Sequence, residues 1–114
     1  MGQNKSDFIY LVSTCKPREI KYPPLSLKLD AIFDSAVIVV AKTVERSEVD
    51  EKCLIKSLLE IGQKDATFAY ALSIVYFNCE SVRRFLKEEC KDSLRDVYLE
   101  NLKYLLYNMF FGGI

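Results

Sequence analysis

Histidine and tryptophan are both absent from this 114-residue sequence. Without an imidazole, the chain cannot activate a serine or cysteine nucleophile by the usual histidine route, and it lacks the commonest side-chain metal ligand. Four cysteines are present, Cys15, Cys53, Cys79 and Cys90, but no two of them form a Cys-x-x-Cys pair, so their spacing gives no zinc motif. We therefore expect no metal, no cofactor and no enzymatic activity.

An excess of one charge sign is also absent, because sixteen Lys and Arg balance sixteen Asp and Glu. A neutral chain has no long-range field that would attract nucleic acid or an anionic membrane, so we expect no nucleic-acid partner. Long apolar runs are lacking as well. The longest aliphatic run, 36–41, is far shorter than the roughly 20 residues that span a bilayer, so we expect no integral membrane segment.

Glycine is scarce, and none of the four glycines belongs to a phosphate-binding loop. Charged residues of both signs alternate from Glu80 to Glu100, a pattern typical of a solvated helix face. The carboxylate pairs in that stretch, Glu88 with Glu89 and Asp92 with Asp96, are therefore expected to be exposed rather than to act as a catalytic acid and base.

The cysteines lie on or beside apolar helix stripes, and the start of the chain lacks the basic region and apolar run of a secretory signal. Cytosolic thiols stay reduced. We accordingly expect four buried, reduced thiols and a cytoplasmic location.

Apolar residues recur at helical spacing along most of the chain. The first such segment, 8–15, follows Ser6 as a candidate N-cap and ends before Pro17. Residues 1–5 before it are expected to form a flexible tail. Residues 16–24 contain all three prolines and predict an extended connector.

Three further helices are predicted between residues 29 and 77. The stripe from Leu29 to Val44 predicts a core helix, and Ser47–Asp50 predicts the start of a second helix that ends at Gly62 in a left-handed C-cap. Asp65 then caps a segment, 66–77, that is apolar on nearly every side. A helix of that composition must be the central one or must be covered by a partner.

Beyond Asn78, a single apolar stripe predicts one helix with a charged outer face; it comprises Val82, Phe85, Leu86, Cys90, Leu94 and Val97. The last segment, 98–111, fits either a helix or an orphaned strand. The fold class is therefore all-α, a compact bundle of about five to six helices that forms a single domain over residues 1–114.

The C-terminal segment has more aromatic side chains than a domain of this size is expected to bury: Tyr104, Tyr107, Phe110 and Phe111. Exposed aromatic residues of this kind are typical of protein interfaces. We expect these four residues to bind a partner protein, which makes the chain an interaction module.

An alternative interpretation starts from the N-terminus. Residues 1–6 fit the Met-Gly-x-x-x-Ser pattern for myristoylation of Gly2. The chain would then be a small helical regulator in peripheral contact with a membrane, although a single myristoyl group gives only marginal membrane binding.

The order of signals from Leu29 to Glu89 resembles the helical N-terminal domain of COMM domain-containing proteins. The residues that carry the resemblance form a short helix, a leucine-rich turn, an aromatic helix and a charged helix, at 48–54, 58–62, 68–78 and 80–86. In that register, residues 102–106 would begin the COMM domain, with Tyr104 where the family has tryptophan. The resemblance therefore implies a chain truncated before its COMM domain.

The same resemblance implies a function. It is that of a non-enzymatic adaptor in endosomal cargo recycling, with roles in NF-κB and ubiquitin-ligase regulation. The implied partners are other COMM-family members and coiled-coil domain proteins. The implied location is the cytoplasm, with association to endosomes or the nucleus.

Overall fold

The computed structural model describes residues 4–24 and 32–112. Within these ranges it has six α-helices and a short π-helical turn, and no strand: α1 Asn4–Thr14, α2 Ile32–Arg46, α3 Leu54–Lys64, α4 Ala66–Asn78, α5 Glu80–Glu88, α6 Arg95–Tyr107 and the turn Asn108–Gly112. The prediction of an all-α bundle of five to six helices is confirmed. The C-terminal segment is helical, so the alternative of an orphaned strand is wrong.

Helix α4 lies at the centre, as its composition predicts. It packs against α2, α3, α5, α6 and the π-helical turn, and eight of its thirteen residues are buried. The Asp65 carboxylate accepts a hydrogen bond from the backbone N–H of Phe68 at 3.1 Å, which confirms the predicted N-cap.

Helix α2 covers one side of α4 and also contacts α1. Its buried stripe contains Phe33, Ala36, Val40 and Val44, which agrees with the predicted periodicity. Burial of such side chains contributes about 1.5 to 3 kcal/mol each, more than the few tenths by which Val disfavours a helix. Leu29, the predicted start of this stripe, lies outside the described residues.

The N-terminal helix starts earlier than expected. Asn4 and Lys5 belong to α1 rather than to a flexible tail, and Ser6 lies inside the helix. The Asn4 amide donates to the backbone oxygen of Glu51 at 2.7 Å, and Lys5 Nζ donates to that of Ser47 at 2.8 Å. These long-range hydrogen bonds order a polar segment that has no local reason to be helical.

The connector after α1 is hydrogen-bonded to the end of α4 through the Asn78 side chain. Residues 15–24 form neither helix nor strand. The Asn78 side chain accepts from the N–H of Lys21 at 2.6 Å and donates to its carbonyl oxygen at 2.9 Å. Asn78 is thus both the last residue of α4 and an anchor for the connector.

The predicted start of α3 at Ser47–Asp50 is wrong, because α3 begins at Leu54. The side chain that caps the N-terminus of α3 belongs to a residue distant in the sequence, Glu89. The Glu89 carboxylate accepts from the N–H of Leu54 at 2.9 Å and of Ile55 at 3.0 Å. Glu89 is only 7 % exposed, so the expectation that it lies on a solvated face is also wrong. A carboxylate at a helix N-terminus satisfies two backbone donors and is favoured by the helix dipole.

Gly62 does not end α3, which continues to Lys64. A Cβ at this position would lie 2.9 Å from Leu105 Cδ2 and 3.6 Å from the Cβ of Ala69. Gly62 therefore allows α3 to approach α6 and α4 closely, and its left-handed capping role is not needed.

The single helix predicted beyond Asn78 is in fact two helices, α5 and α6. Helix α5 ends at Glu88. Shortly after it, the N–H of Lys91 donates to the backbone oxygen of Lys52 at 3.0 Å. The side chain of Asp92 accepts from the N–H of Leu94 at 2.8 Å, forming a local turn. Leu94 and Val97 are consequently about half exposed instead of completing a buried stripe.

Two disulfides, Cys15–Cys79 and Cys53–Cys90, use all four cysteines. The expectation of reduced thiols is therefore wrong. The bonded pairs are 64 and 37 residues apart, so no local spacing motif could reveal them. Cys79 immediately precedes α5 and Cys90 closely follows it, and each end of this short helix is thereby held by a covalent bond.

Replacing either cysteine pair by alanine should lower the free energy of unfolding by about 2 to 5 kcal/mol, because both disulfides close long loops in the unfolded chain. Urea denaturation of the two double variants measures the loss. Mass spectrometry of the native protein after alkylation provides the control. Alkylation of native, unreduced cysteines would contradict the assigned pairs.

Glu89→Gln should lower the free energy of unfolding by about 1 to 3 kcal/mol, since the amide nitrogen would face backbone donors. Glu88→Gln, at the exposed neighbouring position, is the matched control and should change little. Thermal or urea unfolding of both variants distinguishes a capping carboxylate from a surface carboxylate. Equal effects at the two positions would contradict the cap.

The contribution of Glu89 to the free energy of unfolding should also depend on pH. Burial raises the pKa of this carboxyl above its ordinary 4.5, and Asp50 raises it further, against the lowering effect of hydrogen bonds from Leu54, Ile55 and Asn4. The folded state therefore holds the proton more tightly, and the stability of wild type relative to Glu89→Gln should fall as pH rises from 4.5 through the folded pKa. A rise over that interval would contradict this sign.

Candidate partner-binding surface

Aromatic side chains from the C-terminal turn cover the end of the central helix. We call Phe77, Tyr107, Phe110 and Phe111 the aromatic cluster. The ring centroid of Phe77 lies 4.8 Å from that of Phe110 and 5.4 Å from that of Phe111, while Tyr107 and Phe111 are 4.7 Å apart. These separations and tilted arrangements are those of favourable aromatic contacts.

The aromatic residues predicted to bind a partner divide into exposed and buried positions. Tyr104 is 71 % exposed, Tyr107 58 % and Phe111 44 %. We call these three residues the aromatic surface. Phe110 is only 3 % exposed, so its expected place on a docking surface is wrong. It packs on Phe77 and supports the surface from beneath.

The aromatic surface follows one side of the chain's last helical turns. Tyr104 and Tyr107 are three residues apart on α6, and Phe111 follows four residues later in the π-helical turn. Residues at these spacings are neighbours on a helix. Neighbouring exposed aromatic residues are characteristic of interaction sites, whereas single ones are ordinary.

A groove of about 430 Å³ lies between α5 and α6. We call it the α5–α6 groove. It is lined by Tyr76, Glu80, Arg83, Arg84, Lys87, Glu88, Leu99 and Lys103. Four of these residues are basic and two are acidic, which gives a surplus of two positive charges in a chain whose net charge is zero.

The basic side chains of the groove differ in how they are held. Arg83 Nη1 donates to the backbone oxygen of Tyr76 at 2.7 Å, which fixes the guanidinium against the end of α4. Arg84 pairs with Glu80 at 3.2 Å in an exposed i,i+4 arrangement, a contact of small energetic value. Among the described residues, Lys87 and Lys103 form no ion pair.

Tyr76 connects the groove with the aromatic cluster. It lines the groove, and its ring packs edge-on against Phe77 at 5.2 Å. Burial raises the pKa of its hydroxyl, Arg83 lowers it and Glu100 raises it, so the hydroxyl lies among charges of both signs. On α6, Leu99 and Lys103 of the groove and Tyr107 of the aromatic surface follow one another at intervals of four residues, so the two features lie on the same side of this helix.

The order of charges along the sequence did not predict this groove. The alternating signs between Glu80 and Glu100 suggested a uniformly mixed surface, but Arg83, Arg84 and Lys87 line one side and Lys103 joins them from α6. Glu89 has turned inward to cap α3. The positions of the three basic residues on one face of a helical wheel were the signal that could have found the groove.

In residues 4–24 and 32–112, no group of three or more His, Cys, Asp or Glu side chains is placed to hold a metal ion. No helix in the same ranges is long and apolar enough to cross a membrane. Gly2 lies outside them, so its myristoylation stays a prediction.

Comparisons with protein-family models, with curated proteins and with solved structures find no match to this chain. The resemblance of 29–89 to the COMM N-terminal domain is accordingly untested and stays a prediction. The function must be inferred from the aromatic surface and the groove.

Phe110→Ala should lower the free energy of unfolding by about 3 to 5 kcal/mol, because it removes a buried ring that packs on Phe77 at the end of α4. The same change at the adjacent Phe111, which is half exposed, should cost clearly less. Urea denaturation of the two single variants gives the comparison. A larger loss at Phe111 than at Phe110 would contradict the assigned orientations.

Proposed function

We propose that this chain is a disulfide-stabilised helical module that binds another protein through its aromatic surface, Tyr104, Tyr107 and Phe111. The observation that carries this proposal is the exposure of these three neighbouring aromatic side chains, two of which, Tyr107 and Phe111, belong to the packed aromatic cluster. Tyrosine and phenylalanine are enriched in the cores of interfaces, and tyrosine is frequent among the residues that dominate binding energy.

The packing of Phe111 against neighbouring rings favours the binding of a partner protein. Phe111 contacts Phe77, Phe110 and Tyr107, so its ring is held by three others. Side chains that are already ordered lose less conformational entropy when a partner binds. Phe111 and its neighbour Tyr107 are therefore better suited to recognition than isolated exposed rings.

We propose no catalytic role for the chain. All four cysteines are in disulfides, which removes the thiolate that a cysteine nucleophile requires. The buried carboxylate of Glu89 is engaged by Leu54, Ile55 and Asn4 in structural hydrogen bonds. These are the groups that would otherwise be the first candidates for covalent or acid–base chemistry.

The paired cysteines favour an oxidising compartment as the place of action, because disulfides rarely persist in the cytosol. A narrower hypothesis is the COMM-like adaptor, with endosomal, NF-κB and ubiquitin-ligase roles and with COMM and coiled-coil domain proteins as partners. It rests on the sequence resemblance alone. The disulfides count against its cytoplasmic setting.

The proposal predicts that the double substitution Tyr107→Ala with Phe111→Ala lowers the recovery of bound protein at least about tenfold in affinity capture. Tyr10→Ala is the matched control, since Tyr10 is an equally exposed tyrosine on α1 (66 %). Quantitative mass spectrometry of captured proteins compares wild type, the double variant and the control.

Two results would contradict the proposal. One is a wild-type protein that remains monomeric in light scattering and captures nothing above background. The other is a captured set that is unchanged in the double variant, or that is lost to the same extent with Tyr10→Ala.

A further inference from the structure

We propose that the α5–α6 groove binds acidic side chains of the same partner protein, so that the recognised segment is both acidic and apolar. This inference rests on the proposed function, because it assigns the apolar residues of the segment to the aromatic surface. It adds the chemistry of the partner, which the aromatic surface alone does not define.

The charges of the groove are complementary to those of an acidic segment. The groove has four basic side chains against two acidic ones, although the chain as a whole is neutral. Glu80 is already paired with Arg84. Carboxylates of a partner would thus meet Arg83, Lys87 and Lys103. Such complementary charges steer association and fix the orientation of a bound segment.

The lining of the groove favours a protein segment over a polyanion. Glu80 and Glu88 lie among the cations, and Tyr76 and Leu99 supply apolar surface. A nucleic-acid backbone would bring regularly spaced negative charge against those two carboxylates, and an anionic membrane is too flat to enter a concave site. A partner segment with carboxylates interspersed among apolar side chains is chemically complementary to this lining of cations and apolar surface.

The groove is also held in a fixed shape. Helix α5, which provides most of its cations, is bounded by Cys79 and Cys90, each in a disulfide. The Arg83 guanidinium is tied to the end of α4. A site held by covalent and hydrogen bonds around it loses little freedom when it binds.

The size of the face indicates the length of the segment. From Leu99 to Phe111, α6 and its turn extend about 18 Å at a helical rise of about 1.5 Å per residue. A partner helix of about 12 residues has the same length. Docking of an amphipathic helix into a groove is a recurring mode of recognition, with its anchors at helical spacing.

The test uses a displayed library of random peptides of about 12 residues, selected on the full wild-type chain. We expect the selected peptides to be enriched in Asp and Glu together with Leu or Phe. Fluorescence anisotropy of one selected peptide then measures binding to the double variant Lys87→Glu with Lys103→Glu. Binding should weaken about tenfold and lose much of its salt dependence.

Lys42→Glu is the matched control, because Lys42 is an exposed lysine on α2 outside the groove, and its substitution should leave binding unchanged. Circular dichroism checks that the double variant keeps its helices. If it does not, Lys87→Gln with Lys103→Gln removes the same charges without adding new ones and should weaken binding in the same direction.

The contrary results separate the two proposals. Peptides that lose binding with Tyr107→Ala and Phe111→Ala but not with the lysine substitutions would overturn the acidic segment and leave the aromatic surface intact. Peptides selected without acidic enrichment would do the same. Binding unaffected by either set of substitutions, or the absence of any selected peptide, would overturn both.

Discussion

The enclosure of α4 is the constraint on which the rest of the structure depends. A helix that is apolar on nearly every side must be covered all round, and α2, α3, α5 and α6 do this along its length. Its C-terminal end, at Phe77, is covered by Phe110 and Phe111. Of these two rings, Phe110 is buried and Phe111 is 44 % exposed, so the ring that completes the cover also belongs to the aromatic surface.

Helix α5 connects stability with recognition. Nine residues are too few for a helix to be stable by itself, and this one is held by a disulfide near each end and by the packing of Val82 and Leu86. Glu89, just beyond its end, binds the N-terminus of α3 and Asn4 of α1. The contacts that hold α5 in place also fix the basic side of the groove.

Features that depend on neighbouring residues could be predicted from the sequence. The Asp65 cap, the central position of α4 and the stripe of α2 follow from local capping and periodicity. Features that depend on distant residues could not. The Glu89 cap, the two disulfides and the close approach at Gly62 each join residues far apart in the chain, and local patterns contain no information about such partners.

The same distinction applies to the candidate site. Composition predicted the exposed Tyr104, Tyr107 and Phe111, because the last segment has more rings than the core can hold. It could not predict that Phe110 alone turns inward, since this depends on the π-helical turn and on Phe77. For the groove, a helical wheel indicates that Arg83, Arg84 and Lys87 share one face of α5, but not that Lys103 of α6 lies beside them.

Amide hydrogen exchange, resolved along the chain, tests the enclosure of α4 most directly. The account predicts that the amides of 68–76 exchange most slowly, at a rate set by global unfolding, while α1 and the connector exchange faster. Exchange of α4 as fast as that of α1 would contradict it, because a helix open to water on one side could not be the enclosed centre of the fold.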